Sequence, residues 1–103
     1  MTSKQGAFLK KEAHDLEPIV RIGKEGLTDN IVKSLLDAIN SRELIKVKIL
    51  QNLDADKDEA RELAEELSKK SGAELVGIIG KIMIFYKENK DKPVISQKLK
   101  SVK

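Results

Sequence analysis

Apolar and polar positions follow two different periods along this chain, and the switches between them mark its elements. Between about residues 3 and 16, Leu9, Ala13 and Leu16 recur at helical spacing with Phe8 beside them. This predicts a helix with Ser3 as its N-cap and a first turn weakened by Gly6. Pro18 cannot continue that helix, and the apolar run 19–22 reads as a short strand. Ile31, Leu35, Leu36 and Ile39 then form one stripe with a period near 3.6, behind Thr28 as cap. In Leu44-Ile45-Lys46-Val47-Lys48-Ile49 the period drops to two. Ile45, Val47 and Ile49 belong to one face of a sheet, Lys46 and Lys48 to the other. By the same parity Arg21 stands opposite Val20 and Ile22, so if the two strands share a sheet, three cations share its open face.

Asp56 with Glu59 three residues on resembles a capping box and opens a third helix, with Ala60, Leu63, Ala64 and Leu67 inward and Gly72 at its end. Residues 75–79 and 82–86 read as two strands, and Gly80-Lys81 between them as a tight hairpin turn. The order α-β-α-β-α-β-β is that of an α/β two-layer sandwich. Its four-stranded sheet is mixed, because β-α-β crossovers give parallel strands and the last hairpin is antiparallel. Residues 1–87 are expected to form the domain. Residues 88–103 are expected to form a basic, flexible tail: from Lys87 to Lys103 there are six lysines against two acids, with Pro93 and a short apolar pair, Val94-Ile95.

Composition narrows the chemistry. At 103 residues with 3% aromatics, Ile, Leu and Val must fill the core. With no cysteine there is neither a disulfide framework nor a thiolate metal site. One histidine, His14, gives no triad and no metal cluster; packing near the end of the first helix with local hydrogen bonds is its expected role. No apolar run approaches a membrane span and no secretion signal opens the chain, so a cytoplasmic protein is expected. Net charge is +3, but residues 54–66 carry −5 and the remainder +8. One face suited to a polyanion and another turned away from it follow from this division. The acidic stretch has a plainer reading as the solvated face of a helix.

Gly23-Lys24-Glu25-Gly26 sits between the first strand and the helix starting near Thr28. A G-x-x-G turn there brings bare backbone to a helix N-terminus, where unpaired N–H groups and the helix dipole favour a phosphate. An ordinary strand-to-helix turn has the same spacing. In a lysine-rich chain, the phosphate of a nucleic acid fits better than a small cofactor. The P-loop spacing G-x-x-x-x-G-K-[ST] is absent and no nucleophile–base pair can be assembled, so neither enzyme nor cofactor is expected.

Taken in order, these stretches resemble the YhbY-like RNA-binding proteins, the free-standing form of the CRM domain. The resemblance runs through Lys4-Gln5, Leu9, Ala13-His14, Leu16, Pro18-Ile19-Val20, the run from Ile22 to Thr28, Glu43 to Lys48, and Ile79-Gly80-Lys81 leading to Tyr86. The combination of G-K-x-G-L-T, E-L-I-K-V-K and G-K-x-x-x-x-Y at these spacings is specific where G-x-x-G alone is not. It implies a sheet similar to the C-terminal domain of the third bacterial translation initiation factor, RNA binding through the G-x-x-G loop and adjoining basic surface, and a role with precursors of the large ribosomal subunit. Two positions depart from the family pattern: Gly6 stands where a basic residue is usual, and Lys87 where an arginine is, which forfeits the bidentate guanidinium fork.

The implied contacts are Gly23, Lys24, Gly26, Leu27, Thr28, Arg21, Lys46, Lys48 and Lys81. Lys24 would neutralise a phosphate, Gly26 and Leu27 would offer N–H groups beneath it, and Thr28 would cap the helix or donate to the RNA. The cations of the sheet have a blander reading, as solvated or anti-aggregation lysines. Few aromatics argue against a stacking platform, so a monomer binding structured RNA through backbone shape and charge is expected. The alternative readings are a protein-interaction adaptor that docks through the acidic third helix, or a binder of other structured RNAs.

Overall fold

The computed structural model describes residues 1–102. Its elements are α1 (Ser3–Ala13), β1 (Val20–Ile22), α2 (Asp29–Arg42), β2 (Leu44–Ile49), α3 (Lys57–Ser71), β3 (Glu74–Ile79), β4 (Ile82–Tyr86) and α4 (Ser96–Lys100). The sheet is four-stranded and mixed, in the order β1-β2-β4-β3. β1 runs parallel to β2, and β4 runs antiparallel to both β2 and β3. The α/β fold with a mixed sheet is the one expected.

One face carries the main core. Val20, Ile22, Ile45, Val47, Ile49, Met83 and Phe85 from the strands pack against Leu35 and Ile39 of α2 and Ala60, Ala64 and Leu67 of α3. Both helices start from the predicted caps: Thr28 Oγ1 accepts from Ile31 N–H at 3.3 Å, and Asp56 Oδ1 from Glu59 N–H at 2.8 Å. Gly72 closes α3 at φ +75°, a conformation that suits glycine. At the start of α1 the cap is one residue earlier than expected. Thr2 and Gln5 satisfy each other's N–H groups reciprocally at 3.1 and 3.0 Å, which leaves Ser3 inside the first turn.

The second face differs from the open surface the strand alternation suggests. A further cluster joins Leu9 and Ala13 of α1 to Leu44, Ile84, Tyr86, Ile95 and Leu99. α1 and α4 therefore cover the half of this face where β2 begins. The half where β2 ends stays bare: Arg21 pairs in register with Lys48, Lys48 with Ile82, and Ile82 with Ile79, which is 60% exposed.

Residues after Lys87 do not hang free. Ile95 and Leu99 are buried in that cluster, and the segment is fastened by Glu43, itself fully buried between α2 and β2. Its Oε2 accepts from Asn89 N–H at 2.7 Å. Its Oε1 accepts from the N–H groups of Val94, Ile95 and Ser96 at 2.6, 2.6 and 2.9 Å. Burial opposes the charge on Glu43, but the four donors outweigh it and hold the carboxyl at about 2. The side chain reaches them from a residue at φ 63°, unusual for a non-glycine, whose own N–H bonds Ile39 O and whose carbonyl accepts from Lys87 N–H. Burial, and then the Glu43 and Glu88 charges, push the Tyr86 phenol up to about 12. The expected tail thus contributes part of the second layer through residue 100; Lys103, its last residue, lies outside the described residues.

Candidate nucleic-acid interface

The topology gathers three loops at one end of the sheet. Residues 23–28 follow β1, residues 50–56 follow the parallel β2, and Gly80-Lys81 turns into β4 beside the end of β2. Their backbones are tied together: Leu50 N–H donates to Ile22 O at 2.9 Å, and Ile49 N–H to Lys81 O at 2.8 Å.

Within the first loop, Gly26 N–H donates to Gly23 O at 2.9 Å, closing the tetrapeptide into a turn. Gly26 sits at φ +72°, so a glycine is required for the backbone there. This corrects one expectation: the Gly26 N–H is spent on the turn and is not offered to a ligand. Leu27 N–H and the first N–H groups of α2, at Asp29 and Asn30, make no hydrogen bond to protein among the described residues. Thr28 is engaged as cap through Oγ1. A concavity of about 410 Å³ opens over this backbone, lined by Gly23, Lys24, Glu25, Gly26, Thr28, Ile31 and Asn52. Lys24 is exposed on its rim. The arrangement offers uncommitted N–H donors, the positive end of α2 and the exposed Lys24 ammonium to an anion, against the Glu25 carboxylate on the same lining.

The other expected contacts divide. Arg21 and Lys48 are exposed neighbours on the bare half of the sheet, and Lys81 is exposed in the hairpin, with Nζ 3.4 Å from Ala55 O. Lys46 departs from the open-face role: its Nζ donates to His14 O and Leu16 O, both at 3.0 Å. A lysine at a helix C-terminus satisfies orphan carbonyls and opposes the negative end of the dipole, so Lys46 closes α1. Lys87 likewise turns inward, its Nζ 3.3 Å from Ser71 O at the end of α3. The exposed His14 ends α1. Phe85 and Tyr86 are both buried, and Phe8 packs partly buried against the second cluster.

Asn52 is the lining residue that the sequence reading missed. A lone asparagine in a polar loop carries no periodic signal; only the pairing of the β1 and β2 ends brings it beside Gly23. On the far side of the same loop, Asp54, Glu59, Glu62 and Glu66 surround the partly buried Leu53 and Leu63. Any polyanion at the glycine loop is thereby repelled from α3.

Comparison with known proteins assigns this geometry to a family. Residues 1–87 match the family described as the CRS1 / YhbY (CRM) domain. The chain belongs to the CRM-domain family. Among its CRM relatives, the Bacillus subtilis (strain 168) protein named "Probable RNA-binding protein YqeI" is 45% identical over 91 residues, covering 88% of this chain and 92% of that protein. A Haemophilus influenzae protein named "RNA-binding protein" is 33% identical over 91 residues, covering 88% of this chain and 89% of its own length. The solution structure of the hypothetical protein SAV1595 from Staphylococcus aureus shares the CRM fold. It has a TM-score of 0.73 and 42% identity over 91% of this chain and 98% of that one. Neither the family nor these names indicate catalysis. Among the described residues no helix is long and apolar enough to cross a membrane.

Proposed function

We propose that this chain is a cytoplasmic, non-enzymatic RNA-binding protein that holds structured RNA by its phosphates and acts in assembly of the large ribosomal subunit. The observation that carries the RNA contact is the glycine turn, which leads into the unpaired N–H groups at the start of α2 and sets the exposed Lys24 on the rim of a concavity. Arg21, Lys48 and Lys81 extend positive charge along the same end of the sheet. The names of the relatives support RNA as the polyanion. With Phe85 and Tyr86 buried, no aromatic pair is free to stack on bases, and recognition rests on backbone shape and charge.

Titration of a labelled RNA hairpin at several salt concentrations tests the contact. Affinity is expected to fall steeply with salt, and Lys24→Ala to reduce the salt slope by about one while weakening all hairpin sequences alike. An unchanged affinity for that variant would remove the loop from the interface. The assembly role is tested on a sucrose gradient of cell extract. Sedimentation with particles slightly lighter than the mature large subunit, abolished by ribonuclease, is the expected result; signal confined to the top of the gradient contradicts it.

A further inference from the structure

We propose that Asn52 reads the ribose beside the phosphate held by the 23–28 loop, and so makes that loop selective for RNA over DNA. This rests on the phosphate contact proposed above.

Asn52 belongs to a different loop from the one that meets the phosphate, yet its position is fixed relative to it. Leu50 N–H bonds Ile22 O, one residue before Gly23, and Leu53 N–H returns to Leu50 O at 3.1 Å, so the segment carrying Asn52 is a turn hung on the end of β1. The amide lies directly over Gly23. A Cβ at that position would stand 3.4 Å from Asn52 Oδ1 and 3.7 Å from Nδ2. Unlike Gly26, Gly23 has no left-handed backbone that calls for glycine. The absent side chain instead leaves the Asn52 amide facing the concavity across bare backbone. Among the described residues the amide makes no hydrogen bond to protein, so its donor and its acceptor are both uncommitted. Asn89, by contrast, spends both on the chain itself.

The chemistry of the rest of the concavity cannot tell the two nucleic acids apart. Lys24 and backbone N–H groups recognise an anionic oxygen, which RNA and DNA share. A carboxamide donates and accepts at once, and so does a 2′-hydroxyl. Whatever the base, the ribose lies next to its own phosphate along the backbone, so a reader placed beside the phosphate loop meets the sugar in every sequence.

The test compares one hairpin sequence made as RNA and as DNA, by fluorescence anisotropy, for the wild type, Asn52→Ala and Lys24→Ala. Asn52 is exposed, so its truncation leaves the core intact. Asn52→Ala is expected to weaken RNA binding roughly fivefold and leave DNA binding unchanged, the loss of one neutral hydrogen bond. Lys24→Ala is expected to weaken both alike. Gly23→Ala, whose methyl would touch the amide, is expected to follow Asn52→Ala in direction. Equal losses on RNA and DNA for Asn52→Ala, no loss on either, or a loss that follows base sequence would overturn the proposal while leaving the phosphate contact standing. No effect of Lys24→Ala on either hairpin would overturn both.

Discussion

At the end of the sheet where β2 begins, four backbone N–H groups converge on the buried carboxylate of Glu43, three of them at the head of α4. At the opposite end, the N–H groups of Leu27, Asp29 and Asn30 at the start of α2 meet no acceptor among the described residues, and a concavity of about 410 Å³ opens beside them over the glycine turn. Both are sets of backbone donors at a helix start, an arrangement that favours an anion. One is filled by the protein's own fully buried carboxylate and serves the fold. The other is left to solvent, with the exposed Lys24 and Glu25 on its lining, and Arg21, Lys48 and Lys81 exposed at the same end of the sheet. The same donors are spent on the fold or left available according to whether the chain supplies the anion.

The comparison breaks most visibly at the filled cradle. Glu43→Ala leaves four N–H groups without an acceptor; undocking of the segment limits the loss by exposing them to water, so about 3 kcal/mol is expected. Urea or thermal unfolding should show it, as a fall in Tm of roughly 15 °C. Glu43→Gln sharpens the assignment through pH. The carboxyl lies at about 2 in the folded protein, below its ordinary 4.5, so its stabilisation is complete above pH 4.5 and is lost as pH falls toward 2. The stability gap between wild type and Glu43→Gln should therefore be widest near neutrality and close through that acid window. A gap independent of pH would mean that the charge of Glu43 is not what the cradle holds.

At the open cradle the prediction has the opposite form. Lys24→Glu should cost RNA affinity about 10–30-fold, by removing one phosphate contact and placing a like charge in its stead, with no change in Tm. Thr28→Ala lies between the two. It removes the cap of α2 and should cost about 1 kcal/mol of stability, and it should weaken RNA only as far as the first turn of α2 frays. The smallest effect belongs to Lys46. Lys46→Met keeps its stem and loses its bonds to His14 O and Leu16 O, with about 0.5–1 kcal/mol of stability and little RNA affinity lost. A loss of RNA affinity from Lys46→Met as large as that from Lys48→Met would put Lys46 back on the binding face.

The local signals in the sequence carried most of this. The alternation in β2 assigned its faces, and the pairing of Arg21 with Lys48 follows from parity once β1 lies beside β2. Thr28 and Asp56 were readable as caps because their partners are three residues away. What escaped reading depends on backbone partners far along the chain. Glu43 is bound by N–H groups 46 to 53 residues later, and every residue but proline has such a group, so no residue type announces the contact. Lys46 looked like a surface cation for the same reason: its acceptors are carbonyls 30 and 32 residues earlier. The spent Gly26 N–H was hidden differently, since G-x-x-G spacing does not say whether the turn closes on its own hydrogen bond.

The buried carboxylate also imposes an order in time. Synthesis runs from the N-terminus, and Glu43, at the junction of α2 and β2, is made 46 residues before Asn89 can supply its first donor. Until residues 94–96 emerge, that side chain has no partner in the position it finally holds, and it must stay hydrated, with α1 unable to settle over Leu44 and Tyr86 in its final packing. A nascent chain stopped at residue 87 would expose to proteases the face that the finished chain seals. The glycine loop, whose bonds lie within the first half of the sequence, would by then already have its shape.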